Sequence, residues 1–471
     1  MKIDANEIVF SKLSVVDDVG RVFHWRGGIY RGIYPGAVPL VQELFTSGLV
    51  DELTQRHLFP PSKLTGHTLG EFPLVIEHQV VQFATYPQEW SFDMFRDAAL
   101  SVLDVIKIAA QFGWRMKDCH PYNVLFDGVR PLYVDLGSFV KAAAGDDSFS
   151  DAEFLGYYWY PLSIWADGDC FLAQRIISSE YDLMSLTDWF SYNFPFIRGI
   201  KSPWKARAIH LYQRVARRAA TYLGGKNPSR PIAWLVSHLP AEIVVDNTGL
   251  LQAKIRRLPT PPPNGVWHDY QDEYFVADAM NATPRFDRIV DIVRSLDCSS
   301  VVELAANQGL LGLLLLKDTQ IDTVVCTDAD SDAINRLYRR CLDKDTVSEA
   351  KLLQPAVTDM MIPRVNFFTT LPVQRFRADL VTALAITHHL TLSQKYTIQS
   401  VMETIAGYTE RYALIEFMPL GLWDGTSAPP LPAWYNLEWF QKAFCEIFDL
   451  ILSEKIEANR IIFLGRLKIH A

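Results

Sequence analysis

Residues 266–471 predict an α/β domain built on a doubly wound, mostly parallel sheet, and residues 1–255 predict a separate α+β domain. Three observations carry this reading. Short β-branched runs alternate with helical patterns through the second half, as a sheet covered by helices on both faces requires. A turn of small and polar residues, Ala305-Ala306-Asn307-Gln308-Gly309, joins the first of those runs to a helix. Between the halves, residues 256–265 hold four prolines, which fix φ and remove backbone donors, so the segment reads as a semi-rigid linker.

The elements follow in order. Trp267 and Tyr270 come directly after the linker and either close over a ligand or pack into a core. Thr283-Pro284 marks a helix start, with Phe286, Ile289, Val290, Val293 and Leu296 at helical spacing behind it. Val301-Val302-Glu303-Leu304 is the first strand, and the turn leads into a helix over 310–317. A second apolar run, 323–327, ends in Asp328, and a third ends in Val357-Thr358-Asp359. Residues 378–385 read as a buried fourth strand that runs into Ile386-Thr387-His388-His389-Leu390. Residues 412–417, which include Glu416, and 460–464 are further strands, with helices expected over 331–342, 393–405 and 437–448.

An acid at the end of the second strand of such a unit can hold both hydroxyls of a ribose, which suggests a nucleoside-containing cofactor. A dinucleotide site wants G-x-G-x-x-G around a pyrophosphate. Here the three positions are Ala305, Asn307 and Leu310, so that ligand fits poorly. The stretch from Glu303 instead resembles motif I of class I S-adenosylmethionine-dependent methyltransferases, with Ala and Asn at the first two glycine positions. With Asp359 and the His-His-Leu segment, the resemblance extends over about residues 265–471. It is similar to a bacterial subgroup that includes proteins of nodulation and natural-product clusters. The resemblance implies a Rossmann-like sheet of seven strands. It implies S-adenosylmethionine held by Glu303, Ala305, Asn307, Gly309, Asp328 and Asp359, with Asp359 at the adenine, and methyl transfer to a small-molecule or glycan-type acceptor.

His388 and His389 stand past the fourth strand, at the edge where open α/β sheets bind ligands. An imidazole with its ordinary pKa of about 6.5 can act as base near neutral pH; His388 is the first choice because it lies closer to the strand. The alternative is that one histidine caps the next helix and the other packs beneath it. Glu416 either meets a cationic acceptor or satisfies backbone donors.

The first half has its own signature in Asp118, Asn123 and Asp135, set in Lys117-Asp118-Cys119-His120-Pro121-Tyr122-Asn123 and Asp135-Leu136-Gly137. In phosphoryl transfer one Asp takes a hydroxyl proton while an Asn and a second Asp hold magnesium. The spacing resembles the catalytic loop of protein kinases and aminoglycoside phosphotransferases, which implies a kinase-like domain with ATP and magnesium. Met116 departs from that pattern, and neither a glycine-rich phosphate loop nor a Val-Ala-Ile-Lys strand is present. Three readings stay open: an active kinase site, a nucleotide-binding relic, or loop residues that bond their own turns. Gly27-Gly28 suits a hairpin turn, 86–90 a hinge, 92–112 a helix, and the Arg-rich run 202–223 a solvated helix.

Composition narrows the rest. The chain has 471 residues, 49% hydrophobic, and a net charge of 45 − 54 = −9, which does not favour nucleic acid as a partner. Six cysteines without C-x-x-C or metal-ligand spacing read as buried thiols in a reducing compartment, with no metal. The start has no signal-peptide character and no run is long enough for a membrane span, so a soluble cytoplasmic protein is expected. The oligomeric state is open. Two other functions fit the same features: a bifunctional kinase–methyltransferase of a glycan or lipid-linked sugar, and a non-catalytic nucleotide-binding scaffold.

Overall fold

The computed structural model describes residues 1–14, 17–142, 151–179, 183–193, 248–276, 279–280, 283–343, 346–348, 350–366, 369–423 and 425–468, with positions 204, 207 and 211. The chain forms two compact units. The expected helix over 202–223 lies outside the described residues apart from those three positions.

The first unit comprises Met1–Val80, Arg96–Val124 and Tyr133–Pro261. It carries a five-stranded antiparallel sheet in the order Ile8–Phe10, Gly20–Trp25, Gly28–Ile33, Leu74–His78, Ser62–Leu64. The expected hairpin is present, shifted by one residue. Trp25 pairs with Gly28, and the two turn residues are Arg26 (φ 48) and Gly27 (φ 80), both left-handed as a two-residue hairpin turn prefers. Phe23, Trp25, Leu69, Phe72 and Val75 form the core beneath the sheet.

The second unit comprises Pro262–Ala471 together with Val81–Phe95 and Leu125–Leu132. Its sheet has seven strands: β1 (Ser300–Leu304), β2 (Thr323–Asp328), β3 (Leu352–Val357), β4 (Ala378–Ala383), β5 (Thr409–Phe417), β6 (Phe448–Glu457) and β7 (Arg460–Leu467). They lie in the order β3-β2-β1-β4-β5-β7-β6. The first five are parallel and β7 runs against both neighbours. Helices α1 (Pro284–Arg294), α2 (Leu310–Asp318), α3 (Ser331–Cys341), α4 (Ile398–Gly407) and α5 (Leu437–Ile447) connect or flank them. The doubly wound sheet of seven strands expected from the sequence is present.

Its central strands are buried on both faces, so adjacent residues serve opposite cores. Val301, Val324 and Leu380 pack with Phe286, Ile289, Leu311 and Leu314 of α1 and α2. Val302, Val325 and Val381 pack on the other side with Val401, Met402, Phe440 and Phe444 of α4 and α5. The two short segments from the first half of the chain are bonded into this unit. Asp93 pairs with Arg339 and accepts from Asn335 Nδ2 at 3.0 Å. Glu89 pairs with Arg375, and Gly128 N donates to Gln354 Oε1 at 3.1 Å.

Candidate functional site

The β1–α2 turn is left-handed at three alternate positions, Ala305 (φ 55), Asn307 (φ 53) and Gly309 (φ 70). These are the positions at which the resembling motif carries glycine. A side chain in this conformation costs about 1–2 kcal/mol, so the turn is held by other bonds. Ala306 N donates to Thr327 O at 2.9 Å, Asn307 N to Asp328 Oδ2 at 2.8 Å, and Gly309 N to Ala306 O at 2.9 Å. Glu303 lies inside the protein. Its Oε2 accepts from Gly312 N at 3.0 Å and faces the Cys326 thiol at 3.7 Å. Burial pushes its carboxyl up to about 8. It therefore fixes the start of α2.

Asp328 closes β2. Its two carboxylate oxygens each accept one backbone N–H at 2.8 Å, from Asp330 and from Asn307, which leaves lone-pair capacity for a further donor. Burial pushes this carboxyl up to about 6 against those bonds. Thr358 N donates to Asp328 O at 2.8 Å, which sets the end of β3 beside the end of β2. Asp359, the next residue, bonds its own turn through Met361 N at 2.8 Å and Ile362 N at 3.0 Å. Three buried polar atoms near these strand ends have no hydrogen bond: Asn307 Oδ1 past β1, Thr358 Oγ1 past β3 and His388 Nδ1 past β4. Buried polar atoms are almost always paired, so orphans at three strand ends along one edge suit a polar ligand.

His388 and His389 are stacked obliquely, ring centroids 4.1 Å apart. His388 is buried, and that burial, helped by the charges of His389 and Arg460, drives its pKa down to about 3. His389 is half-buried and lowered by burial, with its ring 5.5 Å from that of Trp267. Glu416 is fully buried and fully engaged. Arg285 meets both its oxygens at 3.0 and 3.1 Å, Arg460 Nη1 lies 2.7 Å from Oε2, and Ala385 N donates to Oε2 at 2.9 Å. With four bonds taken and no exposed surface, it is not placed to meet an acceptor.

The partners of Glu416 carry no motif of their own in the sequence. Arg285 is the second residue of α1 and Arg460 the first of β7. An acid in a strand buried on both faces demands such a cation, and that demand was the available signal. Trp267 and Tyr270 are 51% and 46% exposed, so they are not core residues.

In the first unit, Asp118 Oδ1 accepts from His120 N at 2.7 Å. Asn123 Nδ2 is buried without a hydrogen bond. Asp135 Oδ1 accepts from Gly137 N at 3.0 Å and from Arg31 Nη1 and Nη2 at 3.3 and 3.2 Å, while Oδ2 accepts from Ser138 Oγ. Arg31 is itself buried and held by Asp17 at 2.6 Å. A guanidinium on the carboxylate that would have to coordinate magnesium does not fit that ion. Among the described residues no group of three His, Cys, Asp or Glu side chains is placed to hold a metal, and no helix is long and apolar enough to cross a membrane.

Similar solved structures include methyltransferases that match part of this chain. Magnesium protoporphyrin IX methyltransferase from Synechocystis PCC 6803, solved with bound SAM, is 12% identical and covers 39% of this chain and 78% of its own, with a TM-score of 0.29. The N-methyltransferase NodS from Bradyrhizobium japonicum WM9 is 13% identical over 39% of this chain and 94% of its own, at 0.28. A relative that spans both units is the nodulation protein NoeA of Rhizobium meliloti (strain 1021), 24% identical over 438 residues, which are 86% of this chain and 83% of that protein. No family model matches the chain.

Proposed function

We propose that the second unit is an S-adenosylmethionine-dependent methyltransferase acting on a small-molecule or glycan-type acceptor. The observation that carries this reading is the left-handed turn after β1 beside a carboxylate, Asp328, whose oxygens keep free lone pairs. Asp328 would take the ribose hydroxyls, the turn at 305–309 would admit the cofactor close to the backbone, and Asp359 would border the adenine. When bound, the cofactor supplies an electrophilic methyl group. The protein's part is then to orient the acceptor and accept its proton. His389 suits that second task better than His388, whose pKa near 3 makes it a weak base at neutral pH. Glu416 acts through the site's architecture, because it is fully buried between Arg285 and Arg460.

Calorimetric titration with S-adenosylmethionine tests the reading. Asp328→Ala loses charged hydrogen bonds at about 1.5–3 kcal/mol each, so affinity should fall at least about ten-fold. Unchanged affinity in the folded variant would sink the assignment. With a turnover assay, His389→Ala should slow transfer by about 10²–10⁴-fold, while His388→Ala should chiefly lower the melting temperature.

For the first unit we propose a kinase-like layout without phosphotransfer. Its antiparallel sheet precedes, in the chain, the helix Phe92–Gln111 and the Asp118 loop, and Arg31 occupies Asp135.

A further inference from the structure

The segment that follows the prolines lies as a strap across the strand ends of the second unit. Asn264 N and Gly265 N donate to Asp332 Oδ2 at 2.7 and 3.0 Å, and Trp267 N to Asp330 Oδ2 at 3.3 Å, which seats the strap at the start of α3. It then crosses the β1–α2 turn. Asn307 Nδ2 donates to Trp267 O at 2.6 Å, and Gln308 Nε2 to His268 O at 3.1 Å and Asp272 Oδ1 at 2.6 Å. Gln271 answers from the strap, donating to Ala306 O and accepting from Leu310 N, each at 3.3 Å. From the strap the Trp267 ring reaches His389, past β4. A backbone of nine residues is thus tied to two strand ends by side chains that stand in or beside the cofactor turn, and half-exposed Trp267 links it to a third.

Resting on the methyltransferase reading, we propose that Gln308 and Gly265 are positioning residues: they hold the strap closed over Asp328, keep Trp267 against His389, and thereby set how fast a bound nucleoside leaves. The turn then has two tasks. Its left-handed backbone receives the ligand, and its side chains at 307 and 308, where glycine would offer none, retain the cover. Gly265 is fixed by contact: a Cβ there would stand 2.0 Å from Asp330 Oδ2 and 2.1 Å from Oδ1. An added Cβ must displace the Asp330 carboxylate that seats the strap or lift the strap itself, without touching the β1–α2 turn.

Stopped-flow dissociation of S-adenosylhomocysteine from the full-length protein, with hydrogen exchange of residues 264–272, tests the proposal in Gln308→Ala and Gly265→Ala. The expected result is at least about ten-fold faster release in both variants, as loss of one or two bonds predicts, with faster exchange across 264–272 and a melting temperature close to that of the unaltered protein. A purely structural role would lower the melting temperature and leave the release rate alone. Faster exchange in the strap with an unchanged release rate overturns this proposal but not the methyltransferase reading. Failure of the unaltered protein to bind S-adenosylhomocysteine overturns that reading, and this proposal with it.

Discussion

Asp135 in the first unit and Asp328 in the second begin with the same local chemistry. Each accepts, through Oδ1, the N–H two residues ahead, from Gly137 at 3.0 Å and from Asp330 at 2.8 Å. They differ in what else arrives. Asp135 receives a buried guanidinium from Arg31 and the Ser138 hydroxyl, whereas Asp328 receives one more backbone N–H. Acid spacing therefore identifies a turn, and the presence or absence of a cation decides whether the acid serves the fold or a ligand. Glu416 repeats the closed arrangement inside the second unit, with Arg285 and Arg460.

The strongest test of this distinction is Glu416→Ala. It strands two largely buried arginines, and removing one partner of a buried pair costs about 3–5 kcal/mol, to be read from urea denaturation. Normal stability with a collapsed transfer rate would move Glu416 into the class of ligand-facing acids. Next comes Asp135→Ala, which should destabilise the first unit by about 1–3 kcal/mol and leave nucleotide turnover at background. Magnesium-dependent ATP hydrolysis by the unaltered protein, abolished by Asp118→Ala, would break the comparison.

A smaller effect follows from pH. Asp328 titrates near 6 when folded, above its ordinary 3.8. A raised carboxyl stabilises the fold relative to its charged form at low pH, and that contribution is lost as pH rises through 6. Ligand binding runs the opposite way, because ribose hydroxyls donate to the charged form. Cofactor affinity should fall by about ten-fold between pH 7 and pH 5, as one titration near 6 requires, and Asp328→Asn should flatten that profile in calorimetry. The smallest effect is a gain. Ala305→Gly relieves a left-handed alanine worth about 1–2 kcal/mol but frees the unfolded chain, for a net stabilisation of about 0.5–1 kcal/mol in thermal melts. A loss of stability there would mean that the alanine methyl is packing against something the turn needs.

Much of the second unit was legible because its strands are buried on both faces and so read as short apolar runs: Val301-Val302, Val324-Val325 and Leu380-Val381 each feed both cores. β6 was not assigned to residues, since its apolar run is confined to Leu450-Ile451-Leu452 and an edge strand carrying Asp449, Glu454, Lys455 and Glu457 leaves most of its length exposed. The acids at the strand ends were legible from position alone. Their partners were not, because Arg285, Arg460 and Arg31 meet them across 131, 44 and 104 residues, and periodicity carries no information at that range. In the first unit no strand carries the Val-Ala-Ile-Lys pattern that would supply a phosphate lysine. The cation that reaches Asp135 is an arginine, on Gly28–Ile33.

The two early segments that belong to the second unit bear on how the protein is made. Asp93 is bonded to Asn335, which is synthesised 242 residues later. At translation rates of about 5–20 residues per second, that partner emerges on the order of 10–50 s afterwards. Until then Trp90 and Phe126, both fully buried in the finished protein, have no second unit to enter. The ribosome thus releases an apolar surface long before its destination exists, and an expression product cut at the prolines would lack these segments for good.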